Sequence, residues 1–234
     1  MQLAIIGYGR MGQAIERLAL DAGHHVVLRA KTAPAPEELK GADVAVEFSR
    51  PDAAVANLDA CFKAGVPVVS GTTGWLEQWD AVLSACAAQN GGFFYASNYA
   101  VGVNIFFDLA KHLQQSLDRQ SDYTARIEEV HHIHKLDAPS GTAITLAEGV
   151  LAANSTKTAW ELTSSPAPEV LGITAERTGE VVGTHRLVFE SNIDTITLEH
   201  RALTRDAFAA GALRAAAFMV GKTGTYSMAD LINH

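Results

Sequence analysis

Cysteine is almost absent: Cys61 and Cys86 are the two in 234 residues, and no CxxC spacing accompanies them. That excludes a disulfide framework and a thiolate zinc site, so both read as small core residues. Basic charge is also scarce. Eighteen Lys and Arg stand against 26 Asp and Glu, a formal charge of -8. An extended basic surface is therefore not expected, and neither nucleic acid nor a membrane is an expected partner. Long apolar runs are missing too. The opening MQLAIIGYGRMG is too short and too poor in cations for a secretory signal, and no later run approaches a membrane span, so the expected location is the cytoplasm. There is no long Pro, Ser or charge run and no internal repeat. With 48% hydrophobic residues, the chain reads as one large or two small globular domains.

What is present begins with short, continuous apolar runs: Leu3 to Ile6, Val26 to Leu28, Val44 to Val46, Val66 to Val69 and Phe93 to Tyr95. Helical spacing fills the gaps, over Gln13 to Ala22, Pro51 to Ala64 and Trp75 to Gln89. Unbroken apolar strands alternating with helices describe a buried parallel sheet. After Asn98 the pattern changes. A helix through Ile105 to Leu117 is followed by strand-type alternation over Tyr123 to Val130, Arg186 to Phe189 and Thr195 to Glu199. This predicts a second, α+β domain. The alanine-rich stretch Phe208 to Val220 reads as a helix able to return to the first domain.

Two segments carry chemistry. Gly7-Tyr8-Gly9-Arg10-Met11-Gly12 matches GxGxxG directly after an apolar strand and before a helix. Glycines there permit a tight turn and let backbone N–H groups approach a pyrophosphate at the positive helix end. The alternative is an ordinary glycine-containing turn. An acid closing the second strand would hold the ribose of NAD. Here the strand runs into Arg29 and Lys31 instead, which favours a 2′-phosphate and NADPH unless these are solvated loop charges.

The second segment is Glu128 to Ala143, in which His131, His132, His134 and Lys135 fall within five residues, ahead of Pro139-Ser140-Gly141-Thr142. If the strand continues, His131 and Lys135 face one side and His132 and His134 the other, unless Pro139 breaks the alternation. Ser140 or Thr142 can cap a following helix over Ala143 to Ala153, and the N–H groups of Gly141 and Thr142 would hold a carboxylate. A histidine metal site lacks HExxH or cysteine support, so no metal is expected. Idle surface histidines are a further alternative. Acid–base work suits His and Lys better.

These residues resemble the dihydrodipicolinate reductase family over essentially the whole chain. The likeness rests on GYGRMG, Glu47-Phe48-Ser49 with Pro51, Gly71-Thr72-Thr73-Gly74, Ala96-Ser97-Asn98-Tyr99 with Gly102-Val103-Asn104, and above all HHIHKLDAPSGTA. Gly179 to His185, His200-Arg201-Ala202 and Phe208 to Ala212 are similar to further family segments. The resemblance implies NAD(P)H-dependent reduction of a cyclic dicarboxylate to tetrahydrodipicolinate, in diaminopimelate and lysine biosynthesis. It implies a proton donor or acceptor at His131, a proton donor at Lys135, and substrate binding by His132, Gly141 and Thr142. Cofactor contacts are implied for Gly7 to Gly12, Gly71 to Thr73, and Ala96, Ser97, Asn98 and Tyr99.

The implied α/β architecture is a Rossmann-type dinucleotide-binding domain with a mainly parallel sheet, residues 1–98 and 206–234. An α+β substrate-binding and oligomerisation domain, residues 99–205, completes it, with a hinge between them and a homotetramer as the assembly. Many relatives carry an acid where Lys31 stands. NADPH is therefore the expected preference, with NADH possible and with Lys31 and Arg10 near the 2′-phosphate. The rival readings are a non-catalytic NAD(P) sensor and another two-domain dehydrogenase of an aspartate-derived substrate.

Overall fold

In the computed structural model the described residues are 1–120, 122–204 and 206–234. Residues 121 and 205, both inside the segment expected to form the second domain, lie outside them. The chain divides into two compact units, Met1–Val101 with Asp206–His234, and Gly102–Arg205.

The first unit runs β1 (Gln2–Ile6), α1 (Arg10–Asp21), β2 (His25–Ala30), β3 (Val44–Glu47), α2 (Pro51–Ala64), β4 (Val68–Ser70), α3 (Trp79–Ala88) and β5 (Gly92–Tyr95). Short 3-10 turns occupy Pro36–Leu39 and Leu76–Gln78, so the expected Trp75 to Gln89 helix starts late. The alternating faces of β1 explain the layering. Leu3 and Ile5 join one apolar cluster, Ala4 and Ile6 another, as expected when a strand is buried on both sides. Pro51 opens α2 at a position that needs no N–H, and Gly65 closes it in the left-handed conformation, φ 68°. Cys61 and Cys86 are both buried free thiols.

The second unit follows with α4 (Val101–Leu117), β6 (Thr124–His131), α5 (Gly141–Leu151), β7 (Ala159–Leu162), β8 (Val170–Arg177), β9 (Gly183–Glu190) and β10 (Thr195–Ala202). Its sheet is ordered β10-β9-β6-β8-β7, antiparallel on one side of β6 and parallel on the other. One face carries Ala125, Ile127, Ile173, Leu187 and Phe189 into a core with Phe106 of α4 and Leu146 of α5. The other face is polar, crossed by ion pairs of Arg126 with Glu128 and of Arg186 with Glu199.

The chain then returns through α6 (Asp206–Met219), β11 (Gly224–Tyr226) and α7 (Met228–Ile232). Ala209, Ala212, Ala215 and Ala216 of α6 pack against the cluster containing Leu3, Ile5 and Ile15, small side chains that let the helix approach closely. Strand β11 adds in parallel to β5, giving the all-parallel order β11-β5-β4-β3-β1-β2. The fold is α/β with a second α+β unit, as the apolar runs predicted. Strands β7, β8 and β11 were not among the expected elements.

Candidate functional site

In the first unit, β1 ends at the glycine loop. Gly7 has φ +91°, and a side chain there would meet the Phe48 carbonyl oxygen at 2.1 Å. A side chain on Gly12 would meet the Gly7 carbonyl oxygen at 2.4 Å, whereas Gly9 opens onto empty space. Gly9 is the N-cap of α1, without a side-chain cap and with no acid in the first turn. The first-turn N–H groups thus have no internal acceptor, the condition an anion requires. These features fit a dinucleotide pyrophosphate. Met11 and Tyr8 pack against the core, which leaves their backbones rather than their side chains available to such a ligand.

At the end of β2 the two expected cations differ. Arg29 Nε donates to Glu16 Oε1 at 2.7 Å, and the Tyr8 hydroxyl donates to the same carboxylate. Arg29 holds the Glu16 carboxyl below its usual range. Lys31 and Arg10 are exposed and, among the described residues, form no ion pair.

The strand ends beside the loop are closely fitted. A side chain on Gly71 would meet the Phe48 ring at 2.0 Å. Thr72 is buried, with its hydroxyl donating to Glu47, while Thr73 and Ser97 are exposed. Ala96 is buried and Asn98 accepts from the Ala100 N–H at 2.9 Å. Tyr99 lies in the core and donates its hydroxyl to the Ser70 carbonyl at 2.6 Å. Its side chain is thus spent on packing.

In the second unit, alternation along β6 carries Ile127, Glu129 and His131 on one face. The apolar core gives way there to a polar cluster. Glu129, 1% exposed, accepts from the Ser140 N–H at 3.1 Å and from Arg177 Nη2 at 2.9 Å. Its other near neighbours are His131 Nδ1 at 3.4 Å and His185 Nε2 at 3.6 Å. Register explains the meeting: Glu129 pairs with His185 across β9, and His131 with Arg177 across β8. Sequence reading gave no role to Glu129, Arg177 or His185. The period-two spacing of Glu129 and His131 was the available signal, whereas the cross-strand partners are remote in sequence.

The electrostatics follow from this packing. Burial pushes the Glu129 carboxyl up, but hydrogen bonds from His185, Ser140 and Arg177 prevail and bring it to about 2. Burial pushes the His131 imidazole down more strongly than Glu129 pulls it up, and His185, Lys135 and Arg177 push it down further, leaving it at about 4. Ligand atoms of Glu129, His131 and His185 lie within 4.8 Å of one another, a spacing that could admit a metal ion. The carboxylate already holds a guanidinium and a backbone N–H.

Of the two readings of the strand's end, extension to Lys135 or a break ahead of Pro139, the structure shows the break. Strand β6 stops at His131, and the Lys135 N–H turns back to the His132 carbonyl at 3.1 Å. Arg177 Nη2 holds this loop by donating to the Asp137 carbonyl at 2.5 Å. Lys135 therefore reaches its place through a turn, with Nζ 2.8 Å from Asp137 Oδ1. His132 is half-buried and His134 is exposed, 3.4 Å from Glu180.

Helix α5 begins at Gly141, earlier than the expected Ala143, and ends at Leu151. Ser140 is its N-cap, accepting from the Ala143 N–H at 3.2 Å. The N–H groups of Gly141 and Thr142 have no acceptor within the helix. Gly141 is exposed and Thr142 half-buried, so this helix end is open to an anion such as a carboxylate.

Known proteins are similar to this chain along its length. The N-terminal model of dihydrodipicolinate reductase matches residues 1–99 and the C-terminal model residues 102–232. The chain belongs to the dihydrodipicolinate reductase family. Within it, a 4-hydroxy-tetrahydrodipicolinate reductase from Christiangramia forsetii is 43% identical over 235 residues, covering 100% of this chain and 98% of the relative. One from Thiobacillus denitrificans is 40% identical over 209 residues, 86% of this chain and 77% of the relative. A dipicolinate-bound dihydrodipicolinate reductase from a Paenisporosarcina species shares the fold, with TM-score 0.81, 21% identity and 98% of each chain covered.

Proposed function

We propose that this chain is a 4-hydroxy-tetrahydrodipicolinate reductase, reducing its cyclic dicarboxylate substrate to tetrahydrodipicolinate with NAD(P)H. The observation that carries the reading is the polar cluster at the end of β6, with Lys135 and the open start of α5 in adjoining segments. When bound, the nicotinamide cofactor supplies the hydride. The glycine loop and the start of α1 hold its pyrophosphate. Gly71 to Thr73 and Ala96 to Tyr99 line its site. Lys135, His132 and the N–H groups of Gly141 and Thr142 receive the substrate carboxylates.

The proton comes from Lys135. His131, held near 4, is neutral at physiological pH, so it orients substrate by hydrogen bonding rather than carrying a proton in. Asp137, kept ionised by the Lys135 ammonium, in turn holds that ammonium in place. Delivery to carbon leaves a neutral amine that recovers its proton from solvent.

NADPH is the preferred cofactor in this proposal, supported by the unpaired Lys31 and by the Arg29–Glu16 pair, which leaves Lys31 as the available charge at the end of β2. Lys31→Glu should lower the NADPH-to-NADH ratio of kcat/KM by about 10-fold or more, the worth of a charge-assisted contact. An unchanged ratio removes Lys31 from phosphate recognition. The activity itself is tested by following NADPH absorbance after adding fresh product of dihydrodipicolinate synthase. Oxidation supports the reductase. No oxidation in protein that binds nucleotide favours a sensor or a different dehydrogenase.

A homotetramer in the cytoplasm completes the proposal. Ile193 and Leu203, one beyond each end of β10, are 92% and 81% exposed in the second unit, and an assembly that covered either would bury apolar surface. Light scattering should give four times the mass of the chain. A monomer at micromolar concentration would overturn the assembly.

A further inference from the structure

The most deeply buried charged side chain in the first unit is absent from the mechanism above. Glu47, the last residue of β3, is 0% exposed. Its Oε1 accepts from Thr72 Oγ1 at 2.9 Å, from Asn57 Nδ2 at 3.1 Å and from the Ser49 hydroxyl, and its Oε2 accepts from Ser70 Oγ at 2.7 Å. No Lys, Arg or His pairs with it among the described residues.

The direction of each bond is fixed by its neighbours. The Ser49 N–H donates to Thr72 Oγ1 at 2.8 Å, and Asn57 Nδ2 donates to Ser49 Oγ at 2.9 Å. Both hydroxyls therefore accept from elsewhere and turn their own protons to the carboxylate. One acceptor group thus gathers donors from β4, from α2 and from the residues following β3 and β4. A buried carboxylate without a cation is stable only while all its donors remain in place. Glu47 therefore dictates the positions of Ser49 and Thr72.

Those residues flank the contacts that shape the dinucleotide platform. Phe48, between Glu47 and Ser49, meets the Gly7 loop with its carbonyl and Gly71 with its ring. Strand order places this assembly on the β3 and β4 side of β1, opposite β2 and Lys31. In an open parallel sheet, ligands lie across the carboxyl ends of the strands. With the 2′-phosphate end at β2, the other end of the dinucleotide lies over β3 and β4.

We infer that Glu47 is a positioning residue for the nicotinamide half of the cofactor, acting through Ser49 and Thr72 and leaving the adenosine half to β2. The inference rests on the reading of the first unit as the dinucleotide-binding half. It predicts a split between ligands. Glu47→Ala should raise the Kd of NADPH by about 10-fold, while the Kd of 2′-phospho-ADP-ribose, which lacks nicotinamide, stays within about twofold. Glu47→Gln keeps an oxygen for three donors and an N–H that Ser70 can accept, and should restore NADPH affinity to within about threefold of the parent.

Fluorescence titration of both ligands reads the result, with thermal melting as a check on folding. Equal weakening of the two ligands, or no weakening of either, overturns the inference. Where Glu47→Ala does not fold, Asn57→Ala decides. It removes the α2 anchor and should weaken NADPH severalfold without weakening the fragment; no split overturns the inference. Failure of the parent protein to bind NADPH, NADH or 2′-phospho-ADP-ribose instead overturns the dinucleotide reading.

Discussion

Lys135→Ala is expected to lower kcat by about 100-fold or more, the usual worth of a positioned acid, with the Kd of NADPH within about twofold of the parent. Two observations separate chemistry from cofactor binding here. Lys135 belongs to the second unit and the glycine loop to the first, and the Lys135 ammonium is tied to Asp137, two residues along its own loop. His131→Gln should bring a loss of similar order. It removes the imidazole from beside Glu129 while leaving the Arg177 and Ser140 contacts that hold the carboxylate. Steady-state rates beside equilibrium titration with NADPH test both variants. Loss of nucleotide binding in either would contradict the division of labour. Retention of full turnover by Lys135→Ala would transfer the proton donation to another group.

Glu129→Ala carries the largest expected effect on stability. The substitution leaves Arg177 and the Ser140 N–H facing a vacated, buried position, and breaking a buried pair in this way costs about 3–5 kcal/mol. The expected fall in Tm is roughly 10 °C for a chain of this size. Calorimetry reads it, and a Tm within about 2 °C of the parent would show that the cluster is not a structural anchor.

Acid should produce a related loss. An unfolded chain protonates its carboxyl near 4.5, whereas Glu129 in the fold does so near 2. The stability it contributes is complete above about 4.5 and disappears as pH falls through about 2. His131 acts in the same direction by the opposite route. Unfolded, its imidazole takes a proton near 6.5, but the folded chain resists until about 4, so protons favour unfolding across that window. Tm should therefore decline as pH falls from about 6.5, and His131→Gln should flatten the part between 6.5 and 4. A profile unchanged by that substitution would contradict the burial of a neutral imidazole.

The legible parts of the molecule are those in which one residue's neighbours in sequence are also its neighbours in space. β1, the glycine loop and α1 form a continuous stretch, and apolar runs such as Val44 to Val46 advertise a strand buried on both faces. Strand β8, with Gly172 and Thr174 among its apolar residues and charges at its end, offers no such run. Three-residue β11 is too short for any period to emerge. The His and Lys segment announced its chemistry but not its path, since the turn at His132 depends on Ile133 N–H binding the Gly179 carbonyl at 3.2 Å. Glu129 and Glu47 were in plain view as letters. Their importance comes from partners brought by distant strands and helices, and no local spacing encodes that.

The return of α6 and β11 to the first unit bears on the order in which the molecule is made. The first unit includes residues from both ends of the sequence, while the second is a single continuous insertion. As the polypeptide leaves the ribosome, β5 is an unpaired edge until β11 arrives, and the apolar face of β1 waits for the alanines of α6. The inserted unit can mature first. A nascent or prematurely terminated chain could thus carry the complete His131 cluster yet lack a finished nucleotide platform, which makes dinucleotide binding a report that α6 and β11 have been made.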